Sequence, residues 1–363
     1  MTNVPDRPSH DPAATALTSL FRSVRLEPWG TEYLGSVHDA SGFVDPLTDD
    51  AEADTTPLNQ AALELELPLA DWRPVVGTGG LEPRQVLFLD GVRRVEARLL
   101  VEDHTLVFGV LGSCAVGAVA SRPGGQAAEY VGEPVVQRWC ALGGGREDPG
   151  ALTVEAHGGG QRLRYQVAAT AETDKEAPVR LLQAKMRDAE RLLAARLLPE
   201  LGEGLLLCDG PRPLLGADRR VLGYIKTVHA QRLPRPALDV VRALQAGERS
   251  PLYLVGSGEG ARFEWYLRLR DPGAWAHPRA GSVRLQAHAG PEPRQQLEWA
   301  RSVADWSCTV LPRFATRSHQ DPRAPQQLLP VRAMEQTLRR RLGSAPLLRR
   351  RVVAALTRGR VSQ

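Results

Sequence analysis

Two short apolar runs in the chain end in Asp-Gly: Val86-Leu-Phe-Leu-Asp90-Gly91 and Leu205-Leu-Leu-Cys-Asp209-Gly210. A long amphipathic segment carrying Glu190 comes just before the second run. Apolar strands that each end in one carboxylate, joined by a third carboxylate from a helix, are a way to build a divalent-cation site. Hard oxygen donors suit Mn²⁺ or Mg²⁺ rather than Zn²⁺. Such a site suits phosphodiester cleavage, because two cations can clamp the attacking and leaving oxygens. Each residue alone has a plainer reading. Asp-Gly is a common hairpin signal, and Asp209-Gly-Pro211 is a good turn sequence. Glu190 follows Arg187 by three residues, the spacing of a surface salt bridge on a helix. The combination favours the site, since three carboxylates gathered together repel one another unless a cation is present.

Other residues can join them. Lys226 ends the apolar run Tyr224-Ile-Lys226, where an ammonium either neutralises a phosphate oxygen or snorkels to solvent. The stretch from Arg262 to Arg270 interleaves Arg with Trp265 and Tyr266. Stacking faces beside cations suit single-stranded nucleic acid, and a half-buried strand with basic outward positions is the alternative. The segment Ser318 to Glu335 places three prolines before a helix. In it His319, Asp321 and Glu335 can each reach a metal or act as a base, or the segment is a rigid capping loop.

The elements that must position these residues are readable from period and punctuation. Leu63, Leu65 and Leu67 alternate with Glu64 and Glu66, which predicts the start of a strand-rich segment. Arg94 to Leu99 alternates with period two. With the uncharged run Thr105 to Ala120, beyond a turn at Glu102-Asp103-His104, it predicts an antiparallel hairpin. That second run is a buried strand, or two strands with a bend. Gly143 to Gly145 and Gly158 to Gly160 read as turns. Lys175 to Leu201 carries a helical apolar stripe and stops at Gly202 and Gly204. Strands follow at Gly204 to Asp209, Val221 to Val228, Leu252 to Val255, Arg262 to Arg270 and Ser282 to Ala287. Helices are expected at Pro236 to Ala246, Gln295 to Trp306 and Val331 to Leu342. Residues 1–12 read as disordered, Ala13 to Val24 as a short helix, and the acidic stretch Asp45 to Asp54 as an exposed loop. The whole pattern fits an α/β mixed sheet flanked by helices.

Composition sets the limits. The 363 residues are 42% hydrophobic, enough to fill a sizeable core. The net charge of +4 conceals an asymmetry. Residues 332–363 hold nine Arg and one Glu, a sum of +8, so the other 331 residues carry −4. A basic end is a phosphate-backbone contact, a docking element for an acidic partner, or a solvated helical tail. Cys114, Cys140, Cys208 and Cys308 have neither metal-site nor redox-motif spacing, and a reduced cytoplasmic setting is expected. The polar N-terminus does not read as a signal peptide, and Thr105 to Ala120 is too short for a membrane span.

The order strand-Asp90-Gly, helix-Glu190, Leu-Leu-Cys-Asp209-Gly-Pro and Gly223-Tyr-Ile-Lys226-Thr227 resembles the NurA nucleases, which act with the HerA hexameric motor in DNA end processing. The strand beginning Arg262-Phe-Glu-Trp-Tyr-Leu-Arg-Leu looks like the family's late sheet strand. The block Asp321-Pro-Arg-Ala-Pro-Gln-Gln-Leu-Leu-Pro-Val331 with Met334-Glu335 looks like the ending of its bacterial branch. The likeness spans roughly Leu81 to Gly343. It implies an RNase H-like core, related to the nuclease domain of Argonaute proteins, with a β-barrel-like extension. The implied division is an N-terminal extension at 1–75, a nuclease domain at 76–345 and a basic tail at 346–363. It implies a homodimer with Mn²⁺- or Mg²⁺-dependent 5′-to-3′ exonuclease and single-strand endonuclease activity. Its substrates would be single-stranded DNA and DNA ends in double-strand break repair. Asp90, Glu190 and Asp209 match the family's acidic metal ligands, and Lys226 matches a recurrent lysine. Archaeal members carry a Tyr-Pro and a later His. Here Ala324-Pro325 and then Glu335 stand in that region, with Glu335 in the histidine's place as fourth ligand and His319 as its rival. A non-catalytic DNA-binding clamp subunit of a DNA translocase is the alternative function. An RNA-directed Argonaute-type nuclease ranks below both, for want of length to anchor a guide.

Overall fold

The computed structural model describes residues 24–26 and 58–361, apart from 104, 123–127, 146–150, 155–162, 227–231, 272, 274–276 and 278. Residues 1–12, the Ala13 to Val24 helix except Val24 itself, the acidic stretch Asp45 to Asp54 and Gly158 to Gly160 lie outside the described residues.

The first described elements are β1 (Val24–Leu26), α1 (Gln60–Leu63) and β2 (Val75–Val76). A long hairpin follows, β3 (Val86–Asp103) and β4 (Thr105–Ser121). Next come β5 (Glu129–Tyr130), β6 (Val135–Leu142), β7 (Ala151–Val154), β8 (Leu163–Ala169) and the helix α2 (Ala177–Leu197). Then come β9 (Leu205–Asp209), β10 (Val221–Ile225), α3 (Arg235–Ala243), β11 (Glu248–Arg249), β12 (Tyr253–Val255), β13 (Arg262–Arg268) and β14 (Ser282–His288). Three helices end the chain, α4 (Pro293–Phe314), α5 (Leu329–Arg341) and α6 (Ala345–Val361).

The described strands form one mixed sheet with the main order β2-β11-β13-β14-β10-β9-β3-β4-β6-β8-β7. β3, β9 and β10 run parallel to one another, as do β6 and β8. Alternation along β3 sorts its side chains between two cores. Phe88 and Val92 join the core closed by α4 and α5, through Val303, Leu311, Val331 and Leu338. Leu87 and Leu89 face the other core, closed by α2 through Met186, Leu193 and Leu197. The runs of β9 and β10 are continuously apolar because helices or loops cover both of their faces.

A bulge between Val95 and Ala97 shifts the register of β3 on β4. Beyond it β3 and β4, with β6 and β8, wrap a second core of Leu99, Val101, Leu111, Leu142, Tyr165 and Val167, into which α6 inserts Leu348 and Val352. The basic end is therefore helical over Ala345–Val361 and packs on this core through Leu348 and Val352.

Other expectations need correction. Leu63 to Leu67 is not a strand. Asn59 caps a single helical turn by accepting from the Ala62 N–H at 2.9 Å, and an irregular stretch follows. Leu63 and Trp72 pack with Val241, Tyr253 and Tyr266, so residues 58–75 belong to the body of the fold rather than standing apart as an extension. β13 is an interior strand: Trp265 is 0% and Tyr266 4% exposed. Neither ring is available to stack on a nucleic-acid base. The four cysteines are buried thiols. Among the described residues no helix is long and apolar enough to cross a membrane.

Candidate metal centre

β3 and β9 are parallel neighbours with Leu89 opposite Cys208, so Asp90 and Asp209 come next at the same level. Alternation puts both on the face of Phe88, Val92, Leu205 and Leu207, the face that α5 covers. From α5, Glu335 points into the same space. One oxygen from each of Asp90, Asp209 and Glu335 lies within 4.8 Å of the others.

The hairpin turn that Asp90-Gly91 offered as its plainer reading is absent, and β3 does not end there. β3 runs on through both residues, with Gly91 paired to Val116 of β4 and its N–H donating to Asp90 Oδ1 at 2.8 Å. The strand end that matters is that of β9, which stops at Asp209. There Gly210 takes φ +113°, and its N–H and carbonyl exchange bonds with Tyr224 at 2.8 and 2.9 Å. Only glycine adopts that backbone without strain.

Glu190 comes from the opposite face. A Cβ on Gly91 would stand 2.5 Å from Glu190 Oε1 and 3.0 Å from Met186 Cγ, so the missing side chain makes room for the acid. Glu190 is not one of the three clustered carboxylates; α2 holds it against the backbone on the side of Cys114 and Cys208. Burial pushes its carboxyl up to about 8, against the pull of Arg187 and with a further push from Asp209.

Cations frame the trio. Lys226, just past β10, donates from Nζ to both Asp209 Oδ2 and Gln327 Oε1. Gln327 Nε2 donates to Glu335 Oε1 at 2.9 Å. Arg323 grips Glu335 with two bonds of 2.9 and 2.7 Å and reaches Asp321 at 3.2 Å. Asp321 is thus engaged by Arg323 and, at 3.5 Å, by Arg332. His319 is exposed and lies outside the cluster, so the rival to Glu335 does not reach the centre. Arg323 and Gln327 were not singled out from the sequence; an Arg and a Gln in a Pro-rich loop carry no distinctive spacing.

The three carboxyls are unequal. Burial raises Asp90 well above its ordinary value, and repulsion from Asp209, Glu335 and Glu190 adds to this against the charge of Lys226. Burial also raises Asp209, with Lys226 opposing. Burial pushes Glu335 up as well, but the Arg323 bonds and the charges of Lys226, Arg323 and Arg339 outweigh it and hold it down at about 2. Asp90 and Asp209 are thus both held above their ordinary values, the condition a bound cation relieves. The donor set, carboxylate oxygens without thiolate or imidazole, fits Mn²⁺ or Mg²⁺. No protein-family model matches this chain, and no curated protein matches it.

Proposed function

We propose that this protein is a metal-dependent DNA nuclease of the NurA type, a 5′-to-3′ exonuclease and single-strand endonuclease acting with a HerA-type motor in double-strand break end resection. The meeting of Asp90 and Asp209 on adjacent parallel strands with Glu335 on the covering helix carries this reading. The strand order β6-β4-β3-β9-β10 supports an RNase H-like core. It is antiparallel across the first three strands and parallel across the last three, with α2 preceding β9. The wrapped second core around α6 supports the β-barrel-like extension.

A divalent cation at the trio supplies Lewis-acid activation of water and stabilises the leaving oxygen. Asp90, Asp209 and Glu335 would hold it, with Glu190 buried behind Gly91 on the other face of the sheet. Lys226 balances charge developing on the phosphate, and Arg323 keeps Glu335 ionised. Exposed arginines of α6 such as Arg350 offer contacts to a phosphate backbone.

The test uses purified protein, Mn²⁺ and labelled single-stranded DNA. Asp90→Asn should lower cleavage by more than about 100-fold, beyond the loss typical of removing an outer-shell partner, with no loss of metal-free stability. Undiminished cleavage by the variant would remove Asp90 from the site. A second reading, a non-catalytic clamp on a DNA translocase, is favoured by one observation: Lys226 and Arg323 already neutralise Asp209 and Glu335. DNA binding without cleavage, with or without motor and ATP, would select it.

A further inference from the structure

The geometry points to Gln327 as a positioning residue of the candidate centre: its single carboxamide sets the placement of Lys226 and Glu335 together. This rests on the metal-centre reading and adds a residue to it. Gln327 is 0% exposed. Its two amide ends are used by groups of opposite character. The Lys226 ammonium only donates, and donates to Oε1. The Glu335 carboxylate accepts from Nε2 at 2.9 Å. Because an ammonium cannot accept and an ionised carboxylate cannot donate, this amide has one possible orientation. It keeps Lys226 on Asp209 and leaves Glu335 to Arg323 and the cation space.

The backbone beneath that side chain is fixed as well. The Gln327 carbonyl accepts from the Thr316 N–H at 2.9 Å, and the Gln327 N–H donates to the Arg323 carbonyl at 3.2 Å. The neighbouring Gln326 carbonyl accepts from the Tyr224 hydroxyl at 2.6 Å. Tyr224 stands opposite Asp209 in the β9–β10 register. The loop before α5 is thus tied to the strand that carries Asp209's partner residue, and Gln327 is the point where the tie reaches two charged groups of the site.

Mn²⁺ titration of the full chain by calorimetry, with thermal unfolding in EDTA alongside, tests this. Gln327→Met keeps the length and removes both bonds; its Mn²⁺ Kd should rise about 10- to 100-fold, the usual effect of losing an outer-shell partner. Gln326→Ala, in the same loop, should leave the Kd unchanged. Should the Met variant fail to fold, Gln327→Asn decides, since its amide is one methylene too short to span both partners and its Kd should also rise. A lowered melting temperature with wild-type Kd in the folded variants means a structural role only and overturns the inference. Wild-type protein that binds no Mn²⁺ overturns the metal-centre reading, and this inference with it.

Discussion

Asp90 sits buried in a strand interior beside two other carboxylates, with its carboxyl held well above the ordinary 3.8. A carboxyl raised in the fold contributes stability below its ordinary value and loses it as pH rises through the raised one. At neutral pH without metal, Asp90 therefore weakens the fold. Asp90→Asn should raise the urea midpoint in EDTA at pH 7 and abolish the further stabilisation that Mn²⁺ gives the wild type. Gly91 tests the other face. Placing a methyl 2.5 Å from Glu190 Oε1 forces that side chain away, so Gly91→Ala should cost about 1–3 kcal/mol in urea unfolding. Asp90 and Asp209 were legible in the sequence because each ends an apolar run, and parallel pairing then aligned the runs. Glu190 was not, because helical periodicity does not say which face of a sheet the helix covers.

At the scale of elements, the aromatic and basic stretch of β13 shows how alternation misleads when both faces of a strand are covered. Trp265 faces the α4 core, and its Nε1 donates to Ser307 at 3.1 Å; Tyr266 faces the α3 side. The basic positions are engaged within the sheet: half-buried Arg262 binds Glu264 at 2.8 Å, and buried Arg268 donates to the Leu244 carbonyl at 3.1 Å. The segment before β2 has a similar internal anchor. Glu66 takes two bonds of 2.9 Å from Arg249, which also reaches Asp305 at 2.7 Å. Burial pushes Glu66 up, but Arg249 outweighs it and the carboxyl ends below its ordinary 4.5. Its stabilisation is full above 4.5 and is lost as pH falls through the lower folded value. Wild type should therefore lose stability on acidification below that point more steeply than Glu66→Gln, measured by thermal melts across pH. Arg249→Met should cost about 3 kcal/mol at neutral pH, because Asp305 loses its ion pair and Glu66 keeps only Arg301 at 3.3 Å.

For the whole molecule, the charge asymmetry becomes an arrangement in space. The arginines of residues 332–363 belong to α5, the helix that carries Glu335, and to α6, which packs on the second core. Deleting residues 345–363 exposes the sites of Leu348 and Val352. At about 1.5–3 kcal/mol per buried aliphatic side chain, the loss should be roughly 3–6 kcal/mol, seen as a lower unfolding midpoint and increased binding of a hydrophobic dye. DNA affinity should fall in the same deletion and lose part of its salt dependence, as removal of phosphate contacts requires.

Local order was open to the sequence. Apolar runs, glycine stops and helical stripes depend on neighbours along the chain, so the β3–β4 hairpin, α2, β9 and the mixed sheet could be read from it. Spacing alone did not say which acids meet; Glu335 entered the ligand set only through the likeness to the NurA nucleases. Glu335 lies 126 positions beyond Asp209, and only the packing of α5 over the β3–β9 pair brings it there. Glu190, nineteen positions before Asp209, was sent to the other side by the same sheet. Separation along the chain carries no information about the face of a sheet; the covering helix supplies it.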